Sequence, residues 1–235
     1  MHTDPSSDVI ERRLTNVLPP EALEDHAEAV EAYALSESMG DVVGIVGAMG
    51  LDDVRLVGHD WGAALAWLLA AYHSDRVERL AALSVGAPGG RPPDIEQRRR
   101  SWYMYFFQFE GAAETWLRHD DWKFFREWTG GDGDVERYIQ DLSRPGALTS
   151  ALNWYRANVR PEPPGEGDTD FPGVSCPTLG VWIDGDSYLT EDGMAESGER
   201  VDGPWRYERM TDASHWLMLD RPAETNRILV EFLTE

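Results

Sequence analysis

Cysteine, lysine and long apolar runs are what this chain of 235 residues has least of. Cys176 is the single cysteine, so no disulfide framework can form within the chain. Lys123 is the single lysine, and every other basic residue is arginine. Basic residues number 21 against 43 acidic ones, a formal net charge of −22. That balance argues against nucleic acid or an anionic membrane surface as partner. No run of about 18 apolar residues occurs and no apolar leader opens the chain, so the expectation is a soluble, cytoplasmic protein. Acidic, arginine-using surfaces suit an acidic proteome, in which carboxylates hold water and salt screens their repulsion. A GC-rich genome also exchanges lysine for arginine. The length allows one large domain, or a domain carrying an insertion, with a sizeable core.

The chain is organised around residues 54–62, Val-Arg-Leu-Val-Gly-His-Asp-Trp-Gly. Val54, Leu56 and Val57 predict a buried strand, and residues 63–71 are strong helix formers. A strand that turns at once into a helix through Gly58-x-Asp60-x-Gly62 is expected to need glycines because the backbones pack too closely for a Cβ. This is the geometry of a nucleophile elbow with aspartate in the middle position. The plainer alternative is a tight turn in which Asp60 caps the helix.

Upstream, residues 21–34 are acidic and alanine-rich, either helical or partly disordered. A helix starts at Leu35, with Leu35, Met39, Val42, Val43, Val46 and Met49 on one face, Ser36 as N-cap and Gly50 as stop. Downstream, residues 79–85 form the next buried strand, so strand, helix and strand make a βαβ unit and the sheet is parallel. Of the 25 aromatics, 14 fall between Trp102 and Tyr155. This density predicts a helical insertion with an apolar inner wall over a pocket, most of the rings serving to hold the insertion together. Arg98-Arg99-Arg100 reads as a solvated helix face, and residues 160–173 as a linker. Residues 177–183 form a further buried strand with Asp184-Gly185-Asp186 at its end. Residues 205–210 form a last strand, 211–216 a loop, and 222–233 a closing helix with Ile228, Leu229 and Phe232 inward.

Asp60, an acid after a later strand and His215 near the end follow the order nucleophile, acid, histidine, all just past strand ends. At these residues the chain resembles α/β-hydrolases with a cap domain, epoxide hydrolases most closely, over residues 33–233. Gly58-His59-Asp60-Trp61-Gly62 is shared with haloalkane dehalogenases, and His215-Trp216 with Asp220-Arg221-Pro222 is equally general. More specific are Trp102-Tyr103-Met104-Tyr105-Phe106-Phe107-Gln108 and Leu152-Asn153-Trp154-Tyr155-Arg156, which look like the two cap-tyrosine motifs of epoxide hydrolases. The resemblance implies an α/β-hydrolase fold, a parallel sheet flanked by helices, with the core in residues 1–90 and 169–235 and a helical cap in 91–168. It implies Asp60 as nucleophile, Tyr103 and Tyr155 as donors to the epoxide oxygen, His215 as base, and Asp186 as its acid with Asp184 the close alternative. Trp61, Trp154 and Trp216 are expected at the oxyanion and substrate positions. The resemblance further implies a small apolar epoxide as substrate and a vicinal diol as product, with neither cofactor nor metal expected.

The resemblance departs from the family in one respect. No His-Gly-x-Pro occurs, and about 50 residues before the elbow strand leave no room for the family's usual leading strands, so the fold is expected to be shortened at its amino-terminal side, with the elbow strand an open edge. Haloalkane dehalogenase chemistry, and a truncated or non-catalytic hydrolase-like protein, stand as alternatives.

Overall fold

The computed structural model describes residue 27 and residues 29–89, 93–159 and 171–235. Most of residues 21–34, expected to be helical or partly disordered, and most of the linker expected over 160–173 lie outside them. The described residues hold one four-stranded parallel sheet in the order β1-β2-β3-β4, with β1 Val54–His59, β2 Val77–Leu83, β3 Thr178–Gly185 and β4 Trp205–Ser214. Helix α1 (Leu35–Ala48) precedes β1, and α2 (Trp61–Tyr72) crosses from β1 to β2. Five helices separate β2 from β3: α3 (Ile95–Arg100), α4 (Trp102–Phe106), α5 (Ala112–Thr129), α6 (Val135–Leu142) and α7 (Ala147–Asn158). Helix α8 (Glu191–Ala195) lies between β3 and β4, and α9 (Leu217–Asp220) and α10 (Pro222–Thr234) close the chain.

Alternation along the inner strands explains the layers. Leu80 and Ala82 face Ala63, Ala66, Trp67 and Ala70 of α2, whereas Ala81 and Leu83 join Leu179, Val181 and Ile183 against Ile228 and Phe232 of α10. Successive residues point to opposite faces, so a strand covered by helices on both sides must be apolar throughout. Aromatics fill a third cluster inside the insertion, where Tyr103, Phe107, Trp122 and Phe125 pack with Leu117, Ile139, Leu148 and Leu152. Helix α5 breaks at His119–Trp122, where Asp120, Asp121 and Trp122 adopt positive φ.

Three local expectations need correction, and one helix face is left partly open. The elbow strand is not buried: β1 has a single partner among the described residues, and Val57 stays 46% exposed. The apolar face of α1 is only half-covered, with Val42, Val43 and Val46 lining a shallow cleft against Val54, Leu56 and Leu69. Ser36 is not the cap of α1. Ala34 occupies that position, and the Leu35 N–H is taken by Asn158 Oδ1 at 2.8 Å, a partner 123 residues away. Finally, β4 runs through Thr211–Ser214, read from sequence as loop. Gly185 pairs with Ser214 after a register shift, and a Cβ at Gly185 would strike the Ala213 carbonyl.

Candidate active site

Asp60 sits between β1 and α2 with φ 51° and ψ −122°, a conformation that L residues rarely adopt. Its side chain makes no capping hydrogen bond. It turns instead toward the end of β4, where Oδ1 lies 3.4 Å from His215 Nε2. The turn depends on Gly58, whose added Cβ would run into the Gly62 carbonyl and the Ala63 Cα. Gly62 differs, because a Cβ there meets nothing within 4 Å. Close approach therefore explains one of the two glycines and not the other.

His215 follows β4 directly and is buried, 3% exposed. Its Nδ1 lies 2.8 Å from Asp186 Oδ2. The other carboxylate oxygen of Asp186 accepts from the Tyr188 and Leu189 N–H groups, at 2.8 and 2.9 Å. Of the two aspartates after β3, Asp186 is the one that meets His215. Asp184 points outward, 3.8 Å from Arg209, and accepts from the Asp212 N–H.

The electrostatics follow from this line of groups. Burial opposes charge on His215, but Asp186 and Asp60 outweigh it and push the imidazole up to about 9. Burial likewise opposes charge on Asp60, yet His215 and the Trp61 backbone N–H hold its carboxyl below the usual range. His215 thus lies between two aspartates that favour its protonated form.

The insertion brings both expected tyrosines here. Tyr103 from α4 and Tyr155 from α7 lie with ring centroids 5.8 Å apart, and Tyr155 is 5.2 Å from the Trp61 ring. Burial raises both phenols, and the Asp60 charge raises them further, so both remain protonated donors. Trp154 stands 6.0 Å from Trp61. Trp216 packs 5.3 Å from His215, and its indole fills the space a side chain at Gly133 would need.

Arg156, next to Tyr155, donates from Nε to the Phe107 carbonyl at 3.0 Å and pairs with half-buried Glu114 at 2.9 Å. Gln108 donates to the Tyr155 carbonyl at 3.1 Å. These bonds fix α4 against α7.

Several neighbours of the site carry no sequence signal that singles them out. Tyr188 stands edge-on to His215, Tyr103 and Trp128 at 5.2, 5.7 and 6.0 Å, its phenol pushed up to about 12 by burial. Its position two residues after Asp186 is the only hint. His59 packs on His215, and Asp132 approaches from the insertion, raised by burial and by the charges of Asp220 and Asp186. Arg100 corrects the reading of Arg98-Arg99-Arg100 as solvated, since its guanidinium is half-buried on the carbonyls of Asp186 and Leu189.

An aspartate at a strained strand-to-helix turn thus meets a histidine and a second aspartate from later strand ends. Residues 12–228 match the Alpha/beta hydrolase family. The chain belongs to that family, within its epoxide-hydrolase-like members. It is 32% identical over 251 residues to epoxide hydrolase A of Mycobacterium tuberculosis, spanning 88% of this chain and 77% of that one. It is 30% identical over 228 residues to epoxide hydrolase 3 of Xenopus tropicalis, spanning 90% of this chain and 61% of that one. In fold it is similar to an epoxide hydrolase from Bacillus megaterium solved with an inhibitor, with a TM-score of 0.76 at 22% identity over 89% of this chain and 79% of that chain. The α/β-hydrolase fold expected from sequence is thus shown. Among the described residues no helix is long and apolar enough to cross a membrane.

Proposed function

We propose that this protein hydrolyses small apolar epoxides to vicinal diols through an ester on Asp60. The observation that carries the reading is the convergence of two phenols, Tyr103 and Tyr155, on an aspartate already aligned with His215 and Asp186. Residues 91–168 act as the cap, and 1–90 with 169–235 as the core. The carboxylate of Asp60 attacks a ring carbon, the carbon–oxygen bond breaks, and the alkoxide takes a proton from a phenol. Both phenols hydrogen-bond the ring oxygen, where charge grows as the ring opens.

Esterification removes the negative charge of Asp60, one of the two groups that hold His215 protonated. The imidazolium then gives up its proton more readily, which restores the phenol directly or through water. Neutral His215, held by Asp186, takes a proton from water as the oxygen attacks the ester carbonyl. The Trp61 N–H, already at the carboxylate, stabilises the oxyanion. As the intermediate collapses the ester carbon–oxygen bond breaks, and the leaving alkoxide takes the proton of the new carboxyl group, directly or relayed by His215, which frees the diol and returns Asp60 as carboxylate and His215 as imidazolium. Trp61, Trp154 and Trp216 supply apolar contact for the substrate.

The test uses His215→Gln incubated with styrene oxide. Asp60 should carry one equivalent of adduct, located by peptide mass spectrometry and absent from Asp60→Asn. Turnover of the epoxide by the parent without an adduct on Asp60 in the variant would overturn the mechanism, and no turnover by the parent would overturn the function. Haloalkane chemistry has no use for the two hydroxyls, which is why it takes second place.

A further inference from the structure

The side chains of Gln97 and Arg100, three residues apart on α3, reach the same loop after β3. Asp94 caps this helix, accepting from the Gln97 N–H at 2.8 Å, which fixes the turn that carries both. Arg100 Nη1 donates to the carbonyls of Asp186 and Leu189 at 2.6 and 2.9 Å. Gln97 Nε2 donates to the Tyr188 carbonyl at 2.9 Å, and Gln97 Oε1 accepts from the N–H and hydroxyl of Thr190 at 2.8 and 3.0 Å. One short helix thus holds residues 186, 188, 189 and 190 by five hydrogen bonds.

That loop is also what orients Asp186, through the N–H groups of Tyr188 and Leu189. At its other end α3 passes through Ser101, whose hydroxyl accepts from Gln97 Nε2 at 2.8 Å, into α4 and Tyr103. The aspartate behind His215 and a phenol above Asp60 are therefore tied to a single helix.

We propose that Gln97 and Arg100 are positioning residues that latch the helical insertion to the Asp186 loop, so that the half of the site that opens the ring and the half that hydrolyses the ester keep one geometry. The assignment of steps rests on the epoxide reading above; the latch itself rests on the hydrogen bonds. A guanidinium bonded to two carbonyls is charge-assisted, and removing it leaves half-buried oxygens without their partner. The loop then has freedom to carry Asp186 away from Nδ1. Ring opening needs Asp60 and the phenols, whereas ester hydrolysis needs the Asp186–His215 pair, so the second step suffers more.

The test compares Gln97→Leu, Arg100→Met and the double variant with Arg100→Lys and with Arg99→Met, an exposed neighbour on the same helix. The first readout is the titration of His215 by NMR in the full chain. His215 faces Asp60, Asp186 and His59 at the strand ends and Asp132 from the insertion. In the double variant its midpoint should fall by about one pH unit or more toward the ordinary histidine value, with Arg100→Lys in between and Arg99→Met unchanged. The second readout is transient kinetics, in which ester hydrolysis slows about tenfold or more while ester formation changes little, so that kcat and KM fall together. An unchanged His215 midpoint in the folded double variant overturns the latch whatever the activity, and so does equal slowing of both steps. A parent that forms no ester refutes the epoxide reading and leaves the NMR comparison to decide the latch. If Arg100→Met does not fold, Arg100→Lys and Gln97→Glu carry the same comparison, and a parental midpoint in both overturns it.

Discussion

His59 donates from Nε2 to the backbone carbonyl of His215 at 2.9 Å, with the two rings 4.5 Å apart. The neighbours are driven in opposite directions. Burial and the positive charge of His215 push His59 down to about 4, whereas two aspartates push His215 up to about 9. Across the neutral range the pair carries one positive charge, and it sits on His215.

Stability should therefore depend on pH from both sides. His215 has a folded pKa above its ordinary 6.5, so its contribution is complete below that pH and is lost as the pH rises through about 9. His59 has a folded pKa below 6.5, so its contribution is complete above that pH and is lost as the pH falls toward 4. Thermal unfolding midpoints should peak between these limits. His59→Asn should flatten the acid limb and leave the alkaline one, whereas His215→Gln should flatten the alkaline limb and also shift the acid limb, because its charge helps to hold His59 and Asp60 down. Limbs that do not respond to their own substitution would refute the assignment.

The two elbow glycines should respond differently to the same substitution. Gly58→Ala drives a Cβ into the backbone of Gly62 and Ala63, and overpacking against backbone should cost about 3 kcal/mol or more. Gly62→Ala meets open space in the first turn of α2, so it should be neutral or stabilise by up to about 1 kcal/mol. Chemical denaturation of the two variants checks this, and equal losses would contradict it.

Tyr103→Phe and Tyr155→Phe should each slow ester formation, and the double variant should nearly abolish it. Removing a sole donor to a developing oxyanion costs ~2.7–4 kcal/mol. With two donors the first deletion should cost less than the second. Rapid mixing of enzyme and epoxide measures the step directly, and parental rates in the double variant would bring the dehalogenase reading forward.

Net charge gives a prediction independent of the site. With 43 acidic groups against 21 basic ones, self-repulsion outweighs the exposed ion pairs such as Arg55–Glu78 and Arg126–Glu136. Molar KCl should raise the unfolding midpoint, as salt adaptation requires. A midpoint that falls, or does not move, would show that the ion pairs matter more than the repulsion.

What the sequence determined by itself was whatever local backbone physics demands. Glycine at position 58 before an aspartate and a run of helix formers requires a sharp turn, and the apolar runs over residues 79–85 and 177–183 can only be strands covered on both faces. Those signals put Asp60, the two candidate acids and His215 at strand ends. Tertiary structure alone decided between Asp184 and Asp186, because both stand within two residues at the end of β3 and the choice turns on where β4 brings the imidazole. It also decided that Arg100 faces inward while Arg99 remains exposed, and that Asn158 caps α1 in place of Ser36. Each of these depends on a partner far along the chain or on which strand lies alongside. Short-range pattern fixes conformation and facing within an element, whereas the pairing of elements arises only when they pack.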